Sequence, residues 1–192
     1  MIFVLDVETN GLSFSDLEIT QIAYLKLDKQ LNLIGEYNKY FYTENLKDSA
    51  EITGLTHRRL ASLSEGPLTV EELTRVSEEL HHGVIIGQNV VFDVLCLNAL
   101  TYKNNLGIYP MYILDIINQF SREGTKMPLE WIINNYITED GKKLLEERFK
   151  GEGVSYHNAL YDVYSVYALI KYNQDFHKRF KNFLKTLPMK EV

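Results

Sequence analysis

The chain opens on Ile2-Phe3-Val4-Leu5, and these apolar residues in a row constrain its fold more than any other stretch. Such a run reads as a central strand buried on both faces. Two acids continue it, Asp6 and Glu8, before Thr9-Asn10-Gly11 signals a turn. Side chains at i and i+2 of a strand share a face, so both carboxylates can point at the same ion. Solvated strand-end charge is the plain alternative for such a pair. The spacing alone proves little, because Asp16-Leu17-Glu18 repeats it; the difference lies in the apolar strand ahead of Asp6.

Two later segments place further acids in comparable settings. Val84-Ile85-Ile86-Gly87 reads as another buried strand and Gln88-Asn89 as its turn, which puts Asp93 in the first turn of an apolar helix through Leu95, Leu97 and Leu100. The helix macrodipole by itself favours an acid there. The last segment is sharper. Among His57, His81, His82, His157 and His177, only His157 has an aspartate five residues on, at Asp162. Asn158 or a neighbour can start a helix whose apolar face runs through Leu160, Val163, Val166, Tyr167 and Ile170. Asp162 then projects from that helix, and His157 sits on the loop just before it. A structural, hydrogen-bonding histidine is the competing reading.

Acids and a histidine in this order suit the cutting of a phosphodiester. The attacking water, the leaving oxygen and the anionic phosphorus all need positive charge nearby, and two divalent cations about 3.5–4 Å apart supply it. Magnesium and manganese are hard ions that prefer oxygen ligands, so a few carboxylates and the substrate's own phosphate oxygens hold the pair. Histidine suits the remaining task, since its ordinary pKa of about 6.5 lets it take a proton near neutral pH.

With those residues in place, the chain resembles the DEDDh 3′-to-5′ exonucleases, the branch that includes polymerase proofreading subunits, RNase T and oligoribonuclease. Asp6 and Glu8 match the first motif of that family, Asp93 the second, and His157 and Asp162 the third. The related DEDDy branch carries a tyrosine four residues before the last aspartate. Asn158 stands there, with Tyr156 and Tyr161 out of register. Glu18-Ile19-Thr20-Gln21-Ile22 and Ile52-Thr53-Gly54-Leu55-Thr56 resemble the proofreading-like group, so the likeness spans residues 2 to about 172. Asn10, Gln88 and Val163 depart from the family's usual threonine, histidine and alanine, outside the catalytic positions.

The resemblance implies a ribonuclease H-like α/β fold, a mixed five-stranded sheet flanked by helices, with the carboxylates above the central strands. It implies two divalent cations, Mg²⁺ or Mn²⁺, with Asp6, Glu8 and Asp162 on one, Asp6 bridging to the second, and Asp93 helping to place that second ion. His157 is the expected general base, and a nucleoside 5′-monophosphate the expected product. Leu12 and Phe14, in the loop after the first acids, are the candidates for supporting the terminal base; Thr9 and Asn89 complete the expected substrate-binding set. Asp115 and Glu18 are leftover acids for which a structural role is expected, capping in the case of Asp115.

Composition narrows the context. A chain of 192 residues, 45% of them hydrophobic, suffices for one core, so a single exonuclease domain is expected: a nuclease core over about 1–172 and a helical extension over about 174–192. Its only cysteine, Cys96, excludes an intrachain disulfide and suits a reducing compartment. No secretory signal or membrane-length apolar run is present, so a soluble, cytoplasmic protein is expected. A net charge of −6 argues against a broad duplex footprint but suits an enzyme that grips a few terminal nucleotides through bound cations. Local basic candidates are His57-Arg58-Arg59 and Lys178, Arg179, Lys181 and Lys185, each equally explained as a solvated helix face.

Three activities compete: a 3′-to-5′ exonuclease on single-stranded DNA, free or associated with a DNA polymerase; an RNA exonuclease; and a non-catalytic partner-binding module. The intact ligand set and His157 weigh against the last, and the proofreading-like stretches favour DNA.

The periodicity predicts strands over 2–8, 19–27 and 32–42, a polar loop, and a helix opened by Thr69 with Glu72 as a capping box. Strand 84–87, helix 91–103 and a short strand near 111–114 follow. Helices near 116–122, 128–136, 140–149, 158–172 and 174–186 complete the expected order.

Overall fold

The computed structural model describes residues 1–47, 49–102, 107–120 and 125–187. Five strands form one mixed sheet in the order β3-β2-β1-β4-β5. At its centre, β1 (Ile2–Thr9) pairs antiparallel with β2 (Ile19–Leu27) and parallel with β4 (Val84–Gly87). The outer strands are β3 (Leu33–Tyr40), antiparallel to β2, and β5 (Tyr112–Asp115), parallel to β4.

The apolar run at the start of the chain is buried on both sides, as expected. Ile2 and Val4 pack into a layer with β2 residues Ala23 and Leu25 and with helices α5 (Leu129–Tyr136), α6 (Glu139–Arg148), α7 (Ala159–Tyr172) and α8 (Gln174–Thr186). Phe3, Leu5 and Val7 enter the opposite layer, against α3 (Val70–Leu80) and α4 (Val90–Tyr102). Strict alternation carries Asp6 and Glu8 onto the face of Ile2 and Val4, beneath α7. A slip of one residue would push both acids into the α3–α4 layer, so the burial that stabilises β1 also decides where its carboxylates emerge.

The ladder between β1 and β4 covers only Ile2 to Val4, because β4 ends at Gly87. The last half of β1 therefore projects past β4, and the chain leaving β4 turns into α4 beside it. That overhang forms one wall of the site.

Three expectations need correction. The polar loop after β3 contains two short helices, α1 (Ser49–Thr53) and α2 (His57–Leu63), the second capped by the Thr56 side chain, which accepts the Arg59 amide. They rest on a small cluster of Leu46, Leu55 and Leu60 against Tyr40 and Tyr42, and helices this short show too little periodicity to be read. The capping box of α3 is half made: Thr69 Oγ1 accepts the Glu72 amide at 3.2 Å, but the Glu72 carboxylate accepts from Tyr37 Oη at 2.7 Å and Lys39 Nζ at 2.7 Å. The helix expected near 116–122 is a 3₁₀ turn over Ile116–Gln119, with residues 121 and 122 outside the described ones. So are Lys103, at the expected end of α4, and 188–192 of the C-terminal extension.

Candidate active site

Three elements deliver four carboxylates to one end of the sheet. Asp6 and Glu8 come from the end of β1, Asp162 from the first turn of α7, and Asp93 from the first turn of α4. Asp6, Glu8 and Asp162 offer carboxylate oxygens that all lie within 4.8 Å of one another. Asp93 stands outside that trio and comes from the other side of the sheet. Only 4% exposed, it turns its Oδ1 to the Val7 amide at 2.7 Å, on the overhang that β4 does not reach. One of its oxygens thus replaces a missing strand partner.

Asp162 is held by its own loop. Its Oδ2 accepts the His157 amide at 3.1 Å, while its Oδ1 is sealed from solvent with no hydrogen-bond partner among the described residues. An orphaned carboxylate oxygen facing other carboxylates is costly. The strain shows in the acidities. Burial, then the charges of Asp93, Asp162 and Glu8, holds the Asp6 carboxyl far above the usual carboxylate range. Burial, with Asp162 and Asp93, pushes Glu8 up to about 8. Burial lifts Asp93 and Asp162 to about 7 each, against the amides of Val7 and His157 that pull them down. Among the described residues, no lysine or arginine appears among the groups acting on these four acids. Clustered, largely withdrawn from solvent, all-oxygen and without a side-chain counter-charge among the described residues, the set fits hard divalent cations.

His157 sits on the loop before α7 with a left-handed backbone, φ 64°, and its side chain is exposed. A non-glycine residue in that region is strained, and the Asp162 contact to its amide helps hold it there. The exposed position differs from that of a buried structural histidine. Asn158 caps α7 by accepting the Tyr161 amide, and its Nδ2 donates to Tyr40 Oη at 2.9 Å.

The expected substrate-binding residues stand on the segments next to these acids, Thr9, Leu12 and Phe14 after Glu8 and Asn89 before α4. Leu12 is 80% exposed, and Phe14, 47% exposed, meets Phe92 edge-on at 5.8 Å, next to Asp93. The Thr9 hydroxyl is turned inward to donate to the Gly11 carbonyl at 2.7 Å. Asn89, also left-handed at φ 56°, exposes its side chain and donates its amide to Asp115 Oδ1 at 2.8 Å. Asp115 also caps the 3₁₀ turn through Ile117, and Glu18 takes the Thr43 hydroxyl, so both leftover acids have structural partners. Of the basic candidates, His57 Nε2 lies 3.0 Å from the Glu44 carbonyl, and Arg58, Lys178, Arg179 and Lys185 are solvated. Cys96 is buried, as a structural cysteine should be.

Two polar residues near the site had no assigned task in the sequence. Asn10, fully buried, ties the loop after β1 together, exchanging hydrogen bonds with Glu18 at 2.9 Å and donating to the Asp16 carbonyl at 3.0 Å. Gln21 is equally buried and bonds the Ala159 amide across 138 residues. The sequence signal for Gln21 is an uncharged amide inside a strand pattern of apolar residues, while Asn10 reads only as part of a turn.

A mixed sheet of this order, with acids at the end of its central strand and on the helices beside it, is the ribonuclease H-like fold. The chain belongs to the RNase T exonuclease family, whose model matches residues 3–170, and is a hydrolytic exonuclease domain. Among curated proteins it is similar to the PolC-type DNA polymerase III of Staphylococcus haemolyticus strain JCSC1435, 27% identical over 169 residues. It is also similar to that of Staphylococcus epidermidis strain ATCC 35984, at 25%. The match covers 88% of this chain but 11% of either polymerase. Among solved structures, E. coli exonuclease I with a 5cy-dT13 oligonucleotide shares the fold at a TM-score of 0.65 and 21% identity, over 96% of this chain and 43% of that one. The zinc-bound complex of the same exonuclease with single-stranded DNA gives a TM-score of 0.66 at 21% identity, over 96% and 42%.

Proposed function

We propose that this chain is a metal-dependent 3′-to-5′ exonuclease that hydrolyses single-stranded DNA from its 3′ end and releases nucleoside 5′-monophosphates. The observation that carries the reading is the convergence of carboxylate oxygens of Asp6, Glu8 and Asp162 within 4.8 Å, with Asp162 Oδ1 left without a partner among the described residues. Asp6, Glu8 and Asp162 would hold one divalent cation, Mg²⁺ or Mn²⁺, and Asp6 with Asp93 a second. Bound there, the two ions supply positive charge to the phosphate and lower the pKa of the attacking water. His157, exposed on its strained loop, takes a proton from that water at an imidazole nitrogen. Leu12 and Phe14 offer apolar surface to the terminal base, and Thr9 and Asn89 border the same nucleotide.

The preference for DNA is supported by the PolC-type polymerases among the relatives and by the DNA bound in structures of exonuclease I. In this reading the chain works in the cytoplasm as one exonuclease domain, either free or beside a DNA polymerase. No helix among the described residues is long and apolar enough to cross a membrane.

The test is product analysis on matched 5′-labelled DNA and RNA single strands with Mg²⁺, Mn²⁺ or EDTA, using Asp6→Ala as the blank. A metal-dependent ladder shortening from the 3′ end, faster on DNA and absent in the variant, is expected. Faster loss of RNA would move the assignment to an RNA exonuclease. No degradation despite metal binding would leave a partner-binding module.

A further inference from the structure

Gln21 lies on β2 directly across from Glu8, on the face that carries the acids. It is fully buried, and its two polar ends serve different elements. Oε1 accepts the Ala159 amide at 3.1 Å, and Nε2 donates to Asn38 Oδ1, on β3, at 2.9 Å. Ala159 is the first residue of α7, so its amide is one of those a helix cannot satisfy from within. It is also fully buried, out of reach of the solvent that would otherwise serve that amide.

We propose that Gln21 is a positioning residue for the metal ligands: by gripping the first amide of α7 opposite Glu8, it sets the separation between the β1 acids and Asp162. The inference rests on the reading of Asp6, Glu8 and Asp162 as ligands. Asp162 lies three residues beyond Ala159, less than one helical turn, so a shift of that amide is carried directly to the carboxylate. The same shift reaches His157, whose amide Asp162 holds at 3.1 Å. Asn158 makes a second tie of the same kind, from the cap of α7 to Tyr40 at the end of β3. An apolar residue of similar size at position 21 would fill the space but leave the Ala159 amide buried and unsatisfied. Glutamate would keep an acceptor for it.

The experiment compares wild type, Gln21→Met and Gln21→Glu in two assays: Mn²⁺ binding by calorimetry without substrate, and the Mg²⁺ dependence of oligonucleotide hydrolysis. Gln21→Met is expected to weaken Mn²⁺ binding by about 10–100-fold and to raise the half-saturating Mg²⁺ concentration in parallel, as happens when partners behind metal ligands are lost. KM for the oligonucleotide at saturating Mg²⁺ should stay near wild type, and Gln21→Glu should recover most of the ion affinity. A folded Gln21→Met with unchanged ion affinity overturns the inference, as does a Gln21→Glu as impaired as Gln21→Met. Should Gln21→Met fail to fold, Ala159→Pro removes the other half of the bond. Proline is accepted at the first helical position, and Asn158 before it is already extended at φ −124° and ψ 116°. The same loss of ion affinity is expected there, and no loss overturns the inference. If wild type neither binds Mn²⁺ nor degrades the oligonucleotide, the ligand assignment itself fails, an outcome distinct from a wild type that binds ions and a variant that binds them equally well.

Discussion

At the scale of single residues, the site separates groups that hold charge from groups that move a proton. His157 contributes its amide to Asp162, while its ring stays exposed. His157→Ala should therefore lower kcat by about 10²–10⁴-fold at neutral pH, the range of a lost general base, and leave Mn²⁺ affinity unchanged. Near-normal turnover in that variant would remove the base assignment. Leu12 presents an isolated apolar side chain, 80% exposed, that the folded chain itself does not need. Leu12→Ala should lower kcat/KM on a short single strand by roughly tenfold, without a change in melting temperature. Unchanged kinetics would take it out of the site.

At the scale of elements, the placement of Asp93 depends on how closely β4 turns into α4. Gly87 ends β4 against the backbone of β1: a Cβ there would lie 2.6 Å from the Leu5 carbonyl and 2.8 Å from Val90 Cβ. Neither neighbour can withdraw, since one is the central strand and the other begins α4. Gly87→Ala should destabilise the fold by about 1–3 kcal/mol, with Tm falling about 2–4 °C for each kcal/mol. Because α4 carries Asp93, it should also weaken the contact to Val7 and lower activity beyond the stability effect. A variant with wild-type Tm and activity would show that the turn has slack. The module of α1 and α2 lies against the same end of the sheet, joined to the loop after β1 by the pair of Lys47 with Asp16 at 2.6 Å.

At the scale of the whole molecule, the acid cluster couples stability to pH and to metal. In the unfolded chain Asp and Glu lose their protons near pH 4. In the fold Glu8 keeps its proton to about 8 and Asp93 and Asp162 to about 7, and burial with the neighbouring acids raises Asp6 well above the usual carboxylate range. From about pH 4 upward the folded state therefore binds more protons than the unfolded state, so these groups make the metal-free protein less stable as pH rises towards 8. Divalent cations bind the ionised native cluster and oppose that loss, more strongly at higher pH where no proton competes. The gain in Tm from EDTA to saturating Mn²⁺ should thus be larger at pH 8 than at pH 5. Asp6→Asn should melt higher than wild type in EDTA at pH 8 and gain little from Mn²⁺. An equal Mn²⁺ gain at both pH values would contradict a cluster strained by its own charge.

What the sequence determined by itself is what the backbone repeats locally. The i, i+2 relation of a strand put Asp6 and Glu8 on one face, the run from Ile2 to Leu5 made that strand central, and the spacing from His157 to Asp162 placed a loop residue and a helix residue together. Strand and helix boundaries were legible for the same reason, and the short α1 and α2 were not, since their stability comes from packing rather than from periodicity. Only the tertiary structure decided the partners of lone polar groups. That Asp93 completes an overhanging strand 86 residues away, or that Gln21 reaches an amide 138 residues on, follows from which elements lie side by side. A buried polar atom takes whichever partner the fold brings within hydrogen-bond range, and no local spacing records that choice.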